Sequence, residues 1–350
     1  MTSRPALQAL TPNALALLLP GLDAPETRKI VSAMHRDRSL LNPIAGVRRL
    51  ALDAVRAHCA FPSLRVVVAR KSAFDPFVKL LLETPSQDRI ETIRIPLERP
   101  GRISVCVSSQ VGCALACSFC ATGRLGLQRN LETWEIIDQV RAVRRLLEPG
   151  ERLHGVVFQG MGEPLANLDR VLDAIAVLTD PCAQAVDARK VTVCTSGIPS
   201  GIHRLAQEAP KVRLAVSLGS ARPDLRRRLM PISERFSLDQ VLDATAAHAR
   251  TTGLAPLWAV TLLSEVNDTD DDALALAQAA TRFAEAAGVR PRISIIPYNA
   301  TGAPDPFTRS SADREERFRD QLRLHGFASH KRYSGGADVG AACGQLIAQA

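Results

Sequence analysis

The chain has 350 residues, a formal net charge of +8 and a pI of about 9.3, enough length for one large core and a smaller accessory unit. Its eight cysteines are too sparse for a disulfide scaffold, and three of them fall between positions 113 and 120, which points to a reducing compartment and a cytoplasmic location. The charge favours a polyanionic partner, while an aromatic content of only 4% argues against a broad base-stacking platform.

Residues 1–88 read as a small, mainly helical accessory domain. Helical patterns cover 12–19, 24–34 and 47–57, a strand-like run covers 64–69, and a boundary is expected at Ser86-Gln87-Asp88. The apolar run 15–19 is bounded by Pro12, Asn13 and Pro20, which suits a short helix better than a signal peptide. No stretch is apolar for long enough to cross a membrane. From about Glu91 onward, β-branched strands at 103–108, 155–158, 191–194, 214–217, 258–262 and 293–297 alternate with amphipathic helices. The helical patterns lie at 134–147, 168–178, 238–249, 271–286 and 312–324, with Thr133 and Ser237 as N-caps and Gly288 and Gly326 as stops. Such alternation requires parallel strands joined by helical crossovers. Six units give an α/β fold, a partial (β/α)6 barrel over residues 89–350. The run Arg226-Arg227-Arg228 suits either a phosphate contact or a solvated helix face.

Chemistry in parallel barrels sits at the C-terminal ends of the strands, and the loop after the first strand reads CALACSFCATG. Its Cys113, Cys117 and Cys120 are spaced three and then two residues apart. Three thiolates on one short loop can hold three irons of a cubic iron–sulfur cluster and leave the fourth iron open. A zinc site usually takes four ligands from two separated pairs, and no second pair stands at a suitable spacing. Three unrelated buried thiols are the plainer alternative. The C-x3-C-x2-C spacing resembles the signature of the radical S-adenosylmethionine (SAM) superfamily. That resemblance implies an open iron that binds the amino and carboxylate groups of SAM and passes it an electron.

Several further segments narrow the resemblance. CVSSQVGCALACSFCATGRLGLQRNL (106–131), GMGEPLAN (160–167), TSG (195–197), AVSL (215–218), LMPI (229–232), VND (266–268), IPYN (296–299) and AACGQL (341–346) follow one another in order. Together they resemble the radical SAM adenine methyltransferases that modify 23S rRNA, over roughly residues 89–346. The resemblance implies a [4Fe-4S] cluster on Cys113, Cys117 and Cys120, and two molecules of SAM per turnover. It makes Cys343 the methyl carrier, Cys106 the thiol that resolves the covalent intermediate, and Glu91 the base that removes the ring proton. It carries cofactor contacts onto Gly162, Glu163, Cys194, Ser196, Ser217, Leu218, Gly219 and Asn299.

The chemistry explains why a carrier is wanted. C2 of adenine lies between two ring nitrogens, is electron-poor and will not attack the electrophilic methyl of SAM by displacement. By resemblance, one SAM methylates Cys343, and a second is cleaved to a 5′-deoxyadenosyl radical that takes hydrogen from the methyl-thioether. The methylene radical adds to the ring, and Cys106 then releases the product by forming a disulfide with Cys343, which thiol exchange reduces. The implied partners are 23S rRNA, with tRNA as a second substrate that the family can also treat, and an electron donor such as flavodoxin or ferredoxin; the implied state is a monomer. Methylation at adenine C8, giving antibiotic resistance, and a divergent paralogue with another RNA are the alternatives within the family. A basic RNA-binding protein with a structural metal cluster is the alternative outside it. The chain departs from the family pattern at Gly219 (usually His), Cys194 (usually Ser), Gly335 (near an Arg) and Gly340 (usually polar), and its first 88 residues match only loosely.

Overall fold

A computed structural model describes residues 4–302 and 305–347. Three helices open the chain: α1 (Pro12–Leu18), α2 (Ala24–His35) and α3 (Arg49–His58). Asp23 and Glu26 close a reciprocal capping box at the start of α2. Four antiparallel strands follow: β1 (Arg65–Lys71), β2 (Val78–Glu83), β3 (Arg89–Pro96) and β4 (Arg102–Val107). A two-stranded ribbon of β5 (Gln110–Gly112) and β6 (Leu127–Asn130) encloses the cysteine loop and the one-turn α4 (Ala121–Arg124).

The rest alternates: α5 (Thr133–Arg144), β7 (Arg152–Phe158), α6 (Leu168–Thr179), β8 (Val191–Thr195), α7 (Pro199–Glu208), β9 (Arg213–Ser217), α8 (Pro223–Leu229), α9 (Leu238–Thr252), β10 (Leu257–Leu262), α10 (Asp270–Ala287), β11 (Arg292–Pro297), α11 (Ala312–Leu324) and β12 (Ser329–Lys331). The sheet order is β1-β2-β3-β4-β7-β8-β9-β10-β11-β12, and every neighbour pair from β4 to β12 is parallel. The six expected parallel strands are all present, and β12 adds a short seventh.

The structure departs from the sequence reading at several places. The boundary expected at 86–88 falls on the turn between β2 and β3, where Glu83 pairs with Arg89, so the sheet runs straight through it. A single apolar core reaches from Leu7 through the barrel to Leu346. Helix α5 is capped by Glu132 and not by Thr133, because Glu132 and Glu135 each accept the other's backbone N–H; it ends at Arg144. Helices α7 and α8 went unpredicted because each is short and opens on a proline. In contrast, Ser237 caps α9 with Gln240 as its reciprocal partner, and α10 stops at Gly288.

Candidate active site

The loops that leave the C-terminal ends of the parallel strands converge on one cavity. The loop after β4 supplies Cys113, Cys117 and Cys120; the turn after β7 supplies Gly160, Gly162 and Glu163; β8 and its exit supply Cys194 and Ser196; β9 ends in Ser217. Cys343 arrives from the segment beyond β12 and completes the wall. Behind the cysteine loop, Leu225, Leu229, Met230, Leu263 and Tyr298 form an apolar bed against Cys117, and Ser118 N donates to Leu229 O at 3.0 Å.

Burial pushes all three loop thiols upward, Cys113 to about 11 and Cys117 to about 12, and repulsion from neighbouring thiols adds at both of these. Thiols held this way bind as thiolates only when positive charge arrives to compensate them. Among the described residues, no three His, Cys, Asp or Glu side chains close round a single ion. A cubic cluster takes each thiolate on a different iron, so its ligands stand further apart than those of one ion.

Glu163 is buried, and its carboxylate is fixed by backbone: Leu165 N donates to Oε1 at 3.0 Å and Ser196 N to Oε2 at 2.8 Å. Its own N–H donates to Gln110 Oε1 at 2.8 Å, and Gln110 is held in turn by Asn130. Burial raises the Glu163 pKa, with those two N–H donors pulling against it. A cavity-facing carboxylate in that state is suited to an ammonium partner.

A second cavity adjoins the first. It is lined by Cys106, Ile93, Gln159, Arg332 and Gly335, and Cys343 lines both. Arg332 Nη1 donates to Gln159 Oε1 at 2.8 Å. The guanidinium stands among Cys343, Cys194 and Cys106, which raise its own pKa in that order. Burial drives the Cys106 thiol far above its usual range and the Cys194 thiol to about 12, and Arg332 opposes both shifts.

The segment bearing Cys343 is tied down along its length. Ala121 N donates to Gly344 O at 2.8 Å, Thr122 Oγ1 to Leu346 O at 2.6 Å, and Gln345 Nε2 to Ala300 O at 2.8 Å. Asn299 Nδ2 donates to Cys343 O at 3.2 Å and to Ser334 Oγ at 2.8 Å. The β1–β2 loop grips the segment from the other side, where Asp75 accepts from Tyr333 OH and Gly336 N, both at 2.9 Å. Glu91 lies under the segment's end. Its Oε2 accepts from Ile347 N at 3.0 Å and its Oε1 forms an ion pair with Lys79 Nζ, also at 3.0 Å.

Not every expected residue meets the cavity. Gly162, Glu163, Cys194, Ser196 and Ser217 line it, whereas Leu218, Gly219, Asn299 and Glu91 line neither cavity. Leu218 is fully buried in the core. Asn299 holds the Cys343 segment instead.

The radical SAM superfamily profile matches residues 107–273. A probable RNA methyltransferase of Sorangium cellulosum is 55% identical over 348 residues, covering 93% of this chain and 88% of that protein. The dual-specificity RNA methyltransferase RlmN of Syntrophobacter fumaroxidans is 38% identical over 81% of this chain and 80% of its own length. The crystal structure of a radical SAM methyltransferase from Sphaerobacter thermophilus superposes with a TM-score of 0.87 at 35% identity, covering 99% of this chain and 100% of that one. The chain belongs to the radical SAM RNA methyltransferases.

Radical SAM RNA methyltransferases use a [4Fe-4S] cluster and SAM, and the three loop thiols and the oriented Glu163 carboxylate are donors of the right chemistry for both. The geometry also explains two departures from the family pattern. Gly219 has φ +67°, where any side chain is strained, and a Cβ there would stand 2.6 Å from Met230 Sδ, so a histidine would require the Met230 side chain to move. At Gly335 a Cβ would meet the Phe77 ring at 2.4 Å, so any side chain there requires the ring to shift. Sequence reasoning missed Arg226, which is neither a phosphate contact nor a solvated residue. It is fully buried and donates to the carbonyls of Ser217 (3.2 Å), Leu218 and Ser196 (2.7 Å), bracing two strand ends that line the cavity. Burial lowers its pKa to about 10. Gln110 and Arg332 were also missed: each is a polar residue inside a quoted or adjacent motif, but only the fold shows that it faces the site.

Proposed function

We propose that this methyltransferase adds a methyl group to C2 of an adenosine in 23S rRNA, and also to tRNA, using Cys343 as the methyl carrier. The observation that carries the reading is the position of Cys343 in the wall common to two cavities. On one side stand the cluster thiols and Glu163, on the other Cys106. A thiol placed there can accept a methyl from the first side and be released by a second thiol from the other. Relatives named as dual-specificity RNA methyltransferases support both RNA classes.

When bound, the cluster and SAM supply one-electron, hydrogen-abstracting chemistry. Cys113, Cys117 and Cys120 hold the cluster, and Glu163 receives the amino group of the cofactor. Arg332 offsets negative charge on Cys343 as its sulfur becomes nucleophilic. The Cys106 thiolate attacks the Cys343 sulfur, the bond from that sulfur to the base's methylene carbon breaks, and that carbon takes up a proton to become the methyl group, leaving a Cys106–Cys343 disulfide. Glu91 accepts the ring proton; because residue 347 covers its carboxylate, it reaches the base only when residues 344–347 lift. A flavodoxin or ferredoxin is the class of electron donor this chemistry calls for.

The test is nucleoside mass spectrometry of unmodified 23S rRNA and tRNA treated anaerobically with reconstituted enzyme, reductant and SAM. 2-Methyladenosine is expected from both. 8-Methyladenosine would overturn the C2 assignment, and neither product alongside accumulating 5′-deoxyadenosine would overturn the substrate. The Cys343→Ala variant is expected to lose methyl transfer while retaining cluster colour.

A further inference from the structure

We propose that Cys194 is a second disulfide partner for Cys343, which moves the oxidised bond from the buried Cys106 to a more accessible sulfur. The proposal rests on the carrier reading above for the origin of the Cys106–Cys343 disulfide. It adds a route by which that disulfide is cleared.

Two thiols share one face of the sheet, and a third meets them there. Cys106 on β4 pairs with Val157 on β7, and Val157 pairs with Thr192 on β8. Paired residues share a face, and so do residues two apart on one strand, which puts Cys194 on the Cys106 side. Cys343 enters that space from beyond β12. Cys194 lines only the first cavity, Cys106 only the second, and Cys343 both, so Cys343 stands between the other two. Arg332 serves all three as a common counter-charge and is itself fixed by Gln159.

The burial of the thiols gives this order a direction. Cys106 is buried at 8% exposure, whereas Cys194 and Cys343 are both partly exposed. In a disulfide between Cys106 and Cys343 only the Cys343 sulfur belongs to a partly exposed residue, whereas in one between Cys194 and Cys343 both do, and exchange requires access to the attacked sulfur. Attack on a disulfide proceeds in line, with the entering and leaving sulfurs on opposite sides of the central one. Cys343, which borders the cavity of each of the other two, is the sulfur that both can approach.

The step is an exchange without net oxidation. The Cys194 thiol gives up its proton, and its thiolate attacks Cys343 Sγ. The Cys194–Cys343 bond forms, the Cys106–Cys343 bond breaks, and Cys106 leaves as a thiolate that takes up a proton. An external dithiol then supplies two electrons and two protons to restore Cys194 and Cys343, leaving as its own disulfide. A serine at position 194 can hydrogen-bond a ligand but cannot enter this exchange.

The test uses the full-length, cluster-loaded enzyme in anaerobic glutathione redox buffers without RNA or SAM, followed by acid quench, alkylation and tandem mass spectrometry of non-reduced peptides. The Cys106→Ser protein is expected to form a Cys194–Cys343 bridge, and the wild type to carry both bridges. The Cys194→Ser protein, which has the residue usual in the family and so is expected to fold, should form only Cys106–Cys343. A thioredoxin-type dithiol should reduce it at least tenfold more slowly than the wild type. No Cys194–Cys343 peptide in the Cys106→Ser protein, or equal reduction rates, would overturn the relay. The carrier reading fails separately if wild-type enzyme quenched during turnover with RNA shows no Cys106–Cys343 bridge, whatever the redox buffers produce.

Discussion

Lys79 Nζ and Glu91 Oε1 lie 3.0 Å apart on neighbouring strands, with side-chain exposures of only 6% and 0%. They are diagonal neighbours, since Lys79 pairs with Ile93 and Glu91 with Leu81. Removing one member of a buried pair strands the other charge, at a cost of about 3–5 kcal/mol, whereas replacing both with apolar groups costs far less. Lys79→Met should therefore lower unfolding stability by about that amount, and Lys79→Met/Glu91→Leu should recover most of it. Urea titration of the two variants decides the point; a loss below about 1 kcal/mol in the single variant would show that the pair does not brace the sheet.

Arg226 offers a prediction about the cofactor. Arg226→Met leaves the carbonyls of Ser196, Ser217 and Leu218 without their donor, so the two strand ends lose their brace. We expect SAM affinity to fall about tenfold, equivalent to about 1.4 kcal/mol, while iron content is unchanged. Equilibrium dialysis together with iron and sulfide analysis separates the two effects, and unaltered affinity would count against the bracing role.

Thr122 ties the cluster loop to the Cys343 segment through Leu346. Losing a buried hydrogen bond worth about 1 kcal/mol should open the segment about fivefold more often. In the Thr122→Val variant, iodoacetamide should label Cys343 faster by that factor, with Cys59 as an internal buried control. Unchanged labelling would place the restraint elsewhere along the segment.

Two buried histidines set the response to acid. Burial lowers His35 to about 3 and His248 to about 4, both below the ordinary value of 6.5. The folded state therefore binds fewer protons than the unfolded state between these values. Their stabilisation is complete above pH 6.5 and is lost as pH falls toward 4 and then 3. Each contributes a slope of about 1.4 kcal/mol per pH unit in that window. Urea midpoints measured from pH 7 to 4.5 should fall in this way, and His35→Gln should remove about half the slope. A flat profile would mean that neither group stays neutral in the fold.

Much of the site was legible because its chemistry is local. The cysteine triplet, the Gly-Glu-Pro turn and Cys343 each sit in a short recognisable stretch, and the fold brings all three to one cavity wall. The parallel strands were legible for the same reason, as continuous β-branched runs between amphipathic helices. What escaped depends on contacts between distant segments. Strands β2 and β3 were hidden because Lys79, Glu91, Thr92 and Arg94 look like surface residues, yet all four are buried once the strands pair. Arg226 was misread because an arginine run carries no sign of which member turns inward. Asn299 lies in a recognisable motif, but its partners, Ser334 and the Cys343 carbonyl, are 35 and 44 residues away.

The continuity of the sheet through residues 83–89 limits how this protein can be dissected. A chain beginning at residue 89 would bare the outer edge of β3, a row of unpaired N–H and C=O groups open to pairing with another molecule. It would also remove Lys79 from beside Glu91 and Asp75 from beneath Tyr333 and Gly336. Such a fragment is expected to aggregate and to hold Cys343 loosely even where it stays dissolved. A cut within residues 61–63, ahead of β1, keeps the whole sheet but strips Leu7, Leu15, Ile30 and Val55 from the shared core, so it too is expected to cost stability.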